Sequence, residues 1–134
     1  MTDDDLIQLA MRYFTALDAR DSDALADTLA DDCVLTIETH DITYDGKQAI
    51  CALFTSRWDV PPDRLVQARH HDFTHSPSQS SRRITSQFTV TYSGPDAPQP
   101  KSNANVFSMR VGKITRISVY MAGINSIKAS PAPR

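Results

Sequence analysis

The stretch over residues 6–37 constrains the fold of this chain more than any other. Its sequence, LIQLAMRYFTALDARDSDALADTLADDCVLTI, predicts a long helix over residues 3–19, a short second helix after a break at residues 20–22, and then a strand. Two stripes of residues run along the first helix at helical spacing: Leu6, Ala10, Tyr13, Leu17 and Ile7, Met11, Phe14, Asp18. The second stripe is apolar until it ends on a carboxylate. Because a buried, unpaired charge is costly, we expect Asp18 either in water at the helix end or facing a cavity.

The rest of the chain changes from a helical to a strand-like pattern. We predict a strand over 33–40, a short return strand over 41–44, and a third helix from an Asp45 cap to about Trp58, ended by two prolines. Four long strands follow over 64–75, 82–93, 102–111 and 114–121. This order predicts an α+β fold, with three N-terminal helices packed on a strongly curved, mostly antiparallel sheet. We expect a single domain over 1–123 and a loosely held tail over 124–134.

Charge and composition exclude several classes of function. The chain has 134 residues, a net charge of −2 and a pI near 6.0, so it lacks the basic footprint of a protein that binds nucleic acid or an anionic membrane. No apolar run approaches the ~20 residues that span a bilayer. The acidic start, MTDDDLIQ, differs from a basic signal peptide and favours a cytoplasmic protein. Cys33 and Cys51 have no metal-ligand spacing, and we expect reduced, structural thiols.

The predicted sheet has one face that no helix is available to cover. A bare sheet face with Phe, Val and Thr side chains predicts a partner. The simplest partner is a second copy of the chain, so we expect a homodimer formed through the convex face of the sheet.

Three short motifs carry a resemblance to a known family. They are LDARDSDAL at 17–25, ADDCV at 30–34 and the YDG turn at 44–46. Together with the order of elements, they resemble the SnoaL-like domain of the nuclear transport factor 2-like superfamily, which includes relatives of scytalone dehydratase, ketosteroid isomerase and polyketide cyclase. The resemblance implies a cone-shaped α+β barrel around an apolar pocket. It does not imply one activity, because the superfamily includes isomerases, dehydratases, cyclases, hydrolases and non-catalytic proteins.

The resemblance to scytalone-dehydratase-like proteins implies a catalytic pair. Asp18 falls where those proteins carry a carboxylate at the end of the first helix, and their histidine lies on the strand predicted here over 64–75. Strand alternation divides that region into one face with His71, Phe73, His75 and another with His70, Asp72, Thr74. We therefore predict that Asp18 and His71 form the pair, in which the carboxylate orients the imidazole for proton transfer.

The resemblance to ketosteroid isomerases adds Tyr13, because Arg12-Tyr13 matches the pair in which a tyrosine donates to an oxyanion. The aspartate base of those isomerases corresponds to Ile37 here, and their protonated acid to Asn105, so a direct copy of that proton shuttle lacks its base. We predict these residues as substrate-binding: Ile37, Phe54, Trp58, Phe73, Asn105. Tyr13 as a packed core residue, Asp18 as a simple helix-end residue and aromatic packing without a ligand remain the alternatives.

These observations predict a pocket protein that acts as a cofactor-free lyase or isomerase on a small hydrophobic molecule with a carbonyl or hydroxyl group. The alternative is a non-catalytic ligand-binding or assembly domain of the same fold. We expect no metal, because His71 and His75 would lie ~13 Å apart along an extended strand at ~3.3 Å per residue.

Overall fold

A computed structural model describes residues 1–122, and over this range the order of helices and strands is the predicted one. The elements are α1 (Asp3–Ala19), α2 (Ser22–Thr28), β1 (Leu29–Ile37), β2 (Ile42–Asp45), α3 (Lys47–Trp58), β3 (Gln67–Ser78), β4 (Arg83–Ser93), β5 (Lys101–Arg110) and β6 (Lys113–Tyr120), with a single 3-10 turn at Pro62–Arg64 before β3. The tail predicted over 124–134 lies outside the described residues.

Both ends of α1 are fixed by local hydrogen bonds. At the start, the Thr2 hydroxyl accepts a bond of 3.1 Å from the backbone N–H of Asp5, and the Asp5 carboxylate accepts one of 2.8 Å from the backbone N–H of Thr2. At the end, Arg20 adopts a left-handed conformation with φ of 53°, and its N–H donates to the carbonyls of Ala16 and Leu17. The helix therefore ends with Asp18 in its last turn, and Arg20 is the first residue after the helix.

The sheet has the strand order β2-β1-β6-β5-β4-β3 and is curved but not closed. All neighbouring strands are antiparallel except β1 and β6, which pair in parallel. Since β2 and β3 form opposite edges, the sheet is an open cone with the helices on its concave side. The predicted α+β fold, with three helices packed on a curved and mostly antiparallel sheet, is confirmed.

The core lies between the inner face of α1 and the concave face of the sheet. Phe14 is at its centre, with ring centroids 4.9 Å from Phe73, 4.8 Å from Phe88 and 5.7 Å from Phe107. Burial of each such side chain stabilises the fold by roughly 1.5–3 kcal/mol. The large side chains that are fully buried are Tyr13, Phe14, Phe107, Leu6, Leu25, Leu29, Leu35, Ile50, Ile84, Ile114, Ile117 and Thr28.

Several strand ends differ from prediction by a few residues, such as those of β3, which covers Gln67–Ser78 instead of 64–75. Two differences have a clear physical reason. The first strand begins at Leu29 rather than residue 33, because Leu29 already pairs with Ile114 of β6 before an irregularity that lets the exposed Asp31 and Asp32 face solvent. The third helix is capped by Gly46, without a side-chain bond, so the expected Asp45 cap is wrong. Gly46 has φ of 101°, a conformation that glycine adopts without strain.

Candidate functional site

A β-bulge in β3 decides which histidine faces the helices. His71 pairs with Thr89 of β4, whereas Thr74 pairs with Gln87, so two residues of β3 lie opposite the single residue Phe88. Asp72 has φ of 56° at this point. The extra residue breaks the alternation, so that His70 and Phe73, three positions apart, both pack against Phe14.

Asp18 and His70 form a close pair with two hydrogen bonds. The His70 ring atom Nδ1 lies 2.5 Å from Asp18 Oδ1, and the backbone N–H of His70 donates to Asp18 Oδ2 over 2.9 Å. Their side chains are 27% and 13% exposed. A carboxylate only accepts hydrogen bonds, so Nδ1 carries the hydrogen, and Nε2 of the neutral ring is the free acceptor. Asp18 therefore holds both the position and the tautomer of His70.

The prediction that Asp18 pairs with His71 is wrong. His71 lies on the other side of the bulge, where its Nδ1 is 3.0 Å from the carboxylate of Asp72, which is 75% exposed. The sequence carried one signal of this, because Asp is rare in strands but tolerates positive φ. An aspartate in the middle of a predicted strand is therefore a candidate bulge position.

A cavity of about 510 Å³ lies between the helices and the concave face of the sheet. This volume is typical of sites for small molecules. Its apolar walls come from α1, α3, four strands (β1, β3, β4 and β6) and the segments that connect them, with these side chains: Tyr13, Phe14, Leu17, Leu35, Ile37, Leu53, Phe54, Trp58, Val60, Val66, Ala68, Phe88, Val90, Tyr92, Pro98, Val119 and Met121. His70 also lines this cavity, whereas Asp18 lies behind it.

Two asparagines of β5 bring polar groups to the cavity wall. Asn103 is held in place, because its Oδ1 accepts a 3.0 Å hydrogen bond from the backbone N–H of Ala122. Asn105 is 4% exposed, and its Oδ1 has no hydrogen-bond partner among the described residues. A buried polar atom without a partner is costly, so a ligand group that donates a hydrogen bond to Oδ1, such as a hydroxyl, would gain from binding there.

Tyr13 lines the cavity and is also a core residue. Its ring makes edge contacts with Phe14 at 5.3 Å, Phe54 at 6.5 Å and Phe107 at 5.3 Å. Burial is the main cause that raises the pKa of Tyr13, so its hydroxyl remains protonated.

The other predicted binding residues divide into two groups. The cavity is lined by Ile37, Phe54, Trp58 and Asn105. Phe73 is not among the lining residues, because its ring stacks on His75 at 5.2 Å and packs against Phe14 and Phe88. Its predicted contact with a substrate therefore has no basis in the geometry.

Sequence reasoning missed three arginines that line the cavity, Arg20, Arg57 and Arg64. They come from the end of α1, the end of α3 and the 3-10 turn before β3. No linear spacing joins them, and only the packing of these elements brings them to one cavity. Elsewhere in the described range, no three His, Cys, Asp or Glu residues converge as a metal site would require, and no helix there is long and apolar enough to cross a membrane.

Residues 10–117 match the family model of the SnoaL-like domain. The chain belongs to the SnoaL-like family. This match covers both members of the Asp18–His70 pair and most of the cavity wall. It confirms the resemblance drawn from the sequence motifs.

Solved structures share the fold of this SnoaL-like protein. A candidate polyketide cyclase from Silicibacter sp. superposes with a TM-score of 0.76 at 21% identity, covering 98% of this chain and 99% of that one. One from Xanthomonas campestris gives 0.75 at 20% identity, with 88% and 90% covered. A candidate ketosteroid isomerase from Kribbella flavida gives 0.71 at 15% identity, with 98% and 84% covered. No curated protein sequence matches the chain. At these identities the likeness establishes the fold alone.

Proposed function

We propose that this protein is a cofactor-independent lyase or isomerase that moves a proton on a small hydrophobic carbonyl or hydroxyl compound. The observation that carries the proposal is the Asp18–His70 pair, in which a fixed imidazole lines an apolar cavity. The SnoaL-like fold and its neighbours, described as candidate cyclases and isomerases, support the same reaction class.

His70 has the geometry of a general base. With Nδ1 bound to Asp18, Nε2 is the atom that can take a proton from a carbon acid or a hydroxyl and return it to another position. The Asp18 carboxylate stabilises the imidazolium formed on proton transfer and keeps the ring in one orientation. Asp18 is thus a positioning residue, and His70 is the proposed catalytic residue in place of His71.

Asn105 is placed to stabilise the negative charge that develops on the substrate. Its amide is buried on the cavity wall, and its NH₂ group can donate to the substrate oxygen on which negative charge develops as the proton leaves. Tyr13 lines the same cavity with a protonated hydroxyl, and we assign it the same role toward the substrate oxygen.

The test is proton exchange on a panel of small hydrophobic ketones in D₂O, followed by loss of the α-proton NMR signals. We expect the wild type to accelerate exchange and the His70→Gln variant to lose about 10²- to 10⁴-fold of that acceleration. His71→Gln is the matched control, because it makes the same change on the outer side of the bulge. Equal rates for wild type and His70→Gln would refute the proposal and favour the non-catalytic binding or assembly domain.

We also propose that the chain forms a homodimer through the outer face of the sheet. A shallow groove there is lined by Tyr120, Ala104 and Gln87, and Tyr120 is 46% exposed. Light scattering on a sizing column should give twice the chain mass for the wild type and a monomer for Tyr120→Glu. A monomeric wild type would contradict this part of the proposal.

A further inference from the structure

The cavity opens where its lining residues are exposed to solvent. These residues lie in the last turn of α3, in the 59–66 connection to β3 and in the 94–100 connection between β4 and β5. The two connections are packed together at Gly94, where an added Cβ would lie 2.5 Å from the carbonyl oxygen of Leu65. The opening is therefore a defined rim.

Two arginines, Arg57 and Arg64, lie on this rim, and a third, Arg20, lines the cavity from the end of α1. Arg57 and Arg64 are exposed, Arg20 is half-buried, and Asp96 is the one acidic side chain among the described residues that line the cavity. The Arg and Asp side chains that line the cavity therefore sum to a positive charge. Asp59 and Asp63 lie in the same 59–66 connection but do not line the cavity, and the whole chain has a net charge of −2.

No described carboxylate neutralises these arginines. Four other described cations have acidic partners within 4.0 Å: Arg12, Lys47, Arg110 and Lys113. Within the described range, no carboxylate oxygen lies within 4.0 Å of the guanidinium nitrogens of Arg20, Arg57 or Arg64. Five other described cations also lack such a partner, but none of them lines the cavity: Arg69, Arg82, Arg83, Lys101 and Arg116.

The charge of Arg57 acts on the interior of the cavity. Burial raises the pKa of both Tyr13 and Tyr92, and the positive charge of Arg57 opposes this rise at each of them. Both tyrosines line the cavity. The guanidinium is therefore close enough to influence groups on two walls, α1 and β4, at once.

We propose that the substrate of this cavity carries a carboxylate, which the rim arginines bind while its apolar body enters the cavity. The inference rests on the proposed function and narrows its substrate class to hydrophobic oxo- or hydroxy-acids. Guanidinium suits this task because its planar fork matches the two oxygens of a carboxylate and it also stacks on aromatic rings. Trp58 also lines the cavity, where its ring stacks on Phe54 and contributes to the apolar wall.

The arrangement orients the substrate. An acid bound at the rim directs its apolar chain inward, toward the buried wall where Asn105 and the Asp18–His70 pair are found. The reactive carbonyl or hydroxyl group is then several bonds away from the carboxylate. A neutral molecule of the same shape would lack this anchor.

The experiment compares acids with their amides. Phenylalkanoates with two to six methylene groups and the corresponding phenylalkanamides are titrated against the full chain, with the fluorescence of its single tryptophan, Trp58, as the signal. We expect the best acid to bind about tenfold or more tightly than its amide, because hydrogen bonds to charged groups stabilise more than neutral ones. Added salt should reduce this preference, since the rim is exposed.

Arginine variants locate the effect. Arg57→Gln and Arg64→Gln should each reduce the preference for the acid several-fold and leave amide binding unchanged, whereas Arg83→Gln should change neither. A panel in which no acid binds better than its amide would overturn the inference, as would an equal loss in Arg83→Gln. His70→Gln separates the two proposals, because it should abolish proton exchange while the preference for acids remains.

Discussion

Replacing Asp18 by asparagine tests how strongly the pair joins α1 to the edge of the sheet. Asp18 accepts two hydrogen bonds from His70, one from the ring and one from the backbone of an edge strand. Asparagine has the same shape as aspartate but only one acceptor oxygen in place of two. One of the two hydrogen bonds is therefore lost, and the acceptor of the other is no longer charged.

The size of the effect follows from burial and charge. A hydrogen bond to a charged group contributes roughly 1.5–3 kcal/mol, and a neutral one about 1 kcal/mol. Asp18 is 27% exposed, so we take the low end and expect a loss of about 2 kcal/mol in the free energy of unfolding. With a urea slope of about 2 kcal/mol per molar, the midpoint of urea unfolding should fall by about 1 M.

The exposed pair on the other side of the bulge is the control. Asp72→Asn makes the same chemical change next to His71, and asparagine tolerates the positive φ at that position. We expect a change within about 0.5 kcal/mol there. A double-mutant cycle of Asp18→Asn with His70→Gln should give a coupling above about 1 kcal/mol. Equal small effects at Asp18 and Asp72, or no coupling, would refute the reasoning.

Three further predictions concern stability and reactivity. Burial raises the pKa of Cys33 to about 12, so a disulfide reagent at about pH 8 should label Cys33 in unfolded protein but not in native protein. Fast labelling of Cys33 in the native protein would contradict this prediction. Gly94→Ala should lower the free energy of unfolding, measured in urea, by at least about 2 kcal/mol, because φ is +121° and the new Cβ would clash with the backbone of Leu65. Gly112→Ala, which has open space around the new Cβ, should lower it by about half as much. Burial lowers the pKa of His75 in the folded protein from its usual 6.5, so stability is highest above about pH 6.5 and falls as the pH drops through the lowered pKa of the folded state. His75→Gln should flatten this fall in the midpoint of urea unfolding, and a pH profile that is unchanged in the variant would contradict the prediction.

The fold was largely predictable from local patterns. The helical stripes placed Phe14 and Tyr13 in the core, the predicted first helix over residues 3–19 was correct, and the four long strands were found with small errors at their ends. These features depend on residues close in sequence, where periodicity and capping chemistry act directly. The carboxylate that ends the second stripe, Asp18, was correctly identified as the anomaly to explain.

The site was less predictable because it depends on three-dimensional packing. One extra residue at the bulge reversed the faces that strand alternation assigned to His70 and His71. Asp72 was the one sequence signal of this bulge, and regular alternation does not take it into account. The three arginines that line the cavity lie at the end of α1, at the end of α3 and in the 3-10 turn, so only the assembled fold shows that they share a cavity. Asn105 was found through the family resemblance rather than through any pattern of its own.

The nitrogen chemical shifts of the His70 ring test the central claim most directly. Long-range ¹H–¹⁵N correlation spectra, assigned with the His70→Gln variant, report which ring nitrogen carries the hydrogen. The account predicts a hydrogen on Nδ1, held by Asp18, and a free Nε2 whose shift changes when a phenylalkanoate fills the cavity. A hydrogen on Nε2 alone, or an Nε2 signal that ignores every ligand that binds, would contradict it.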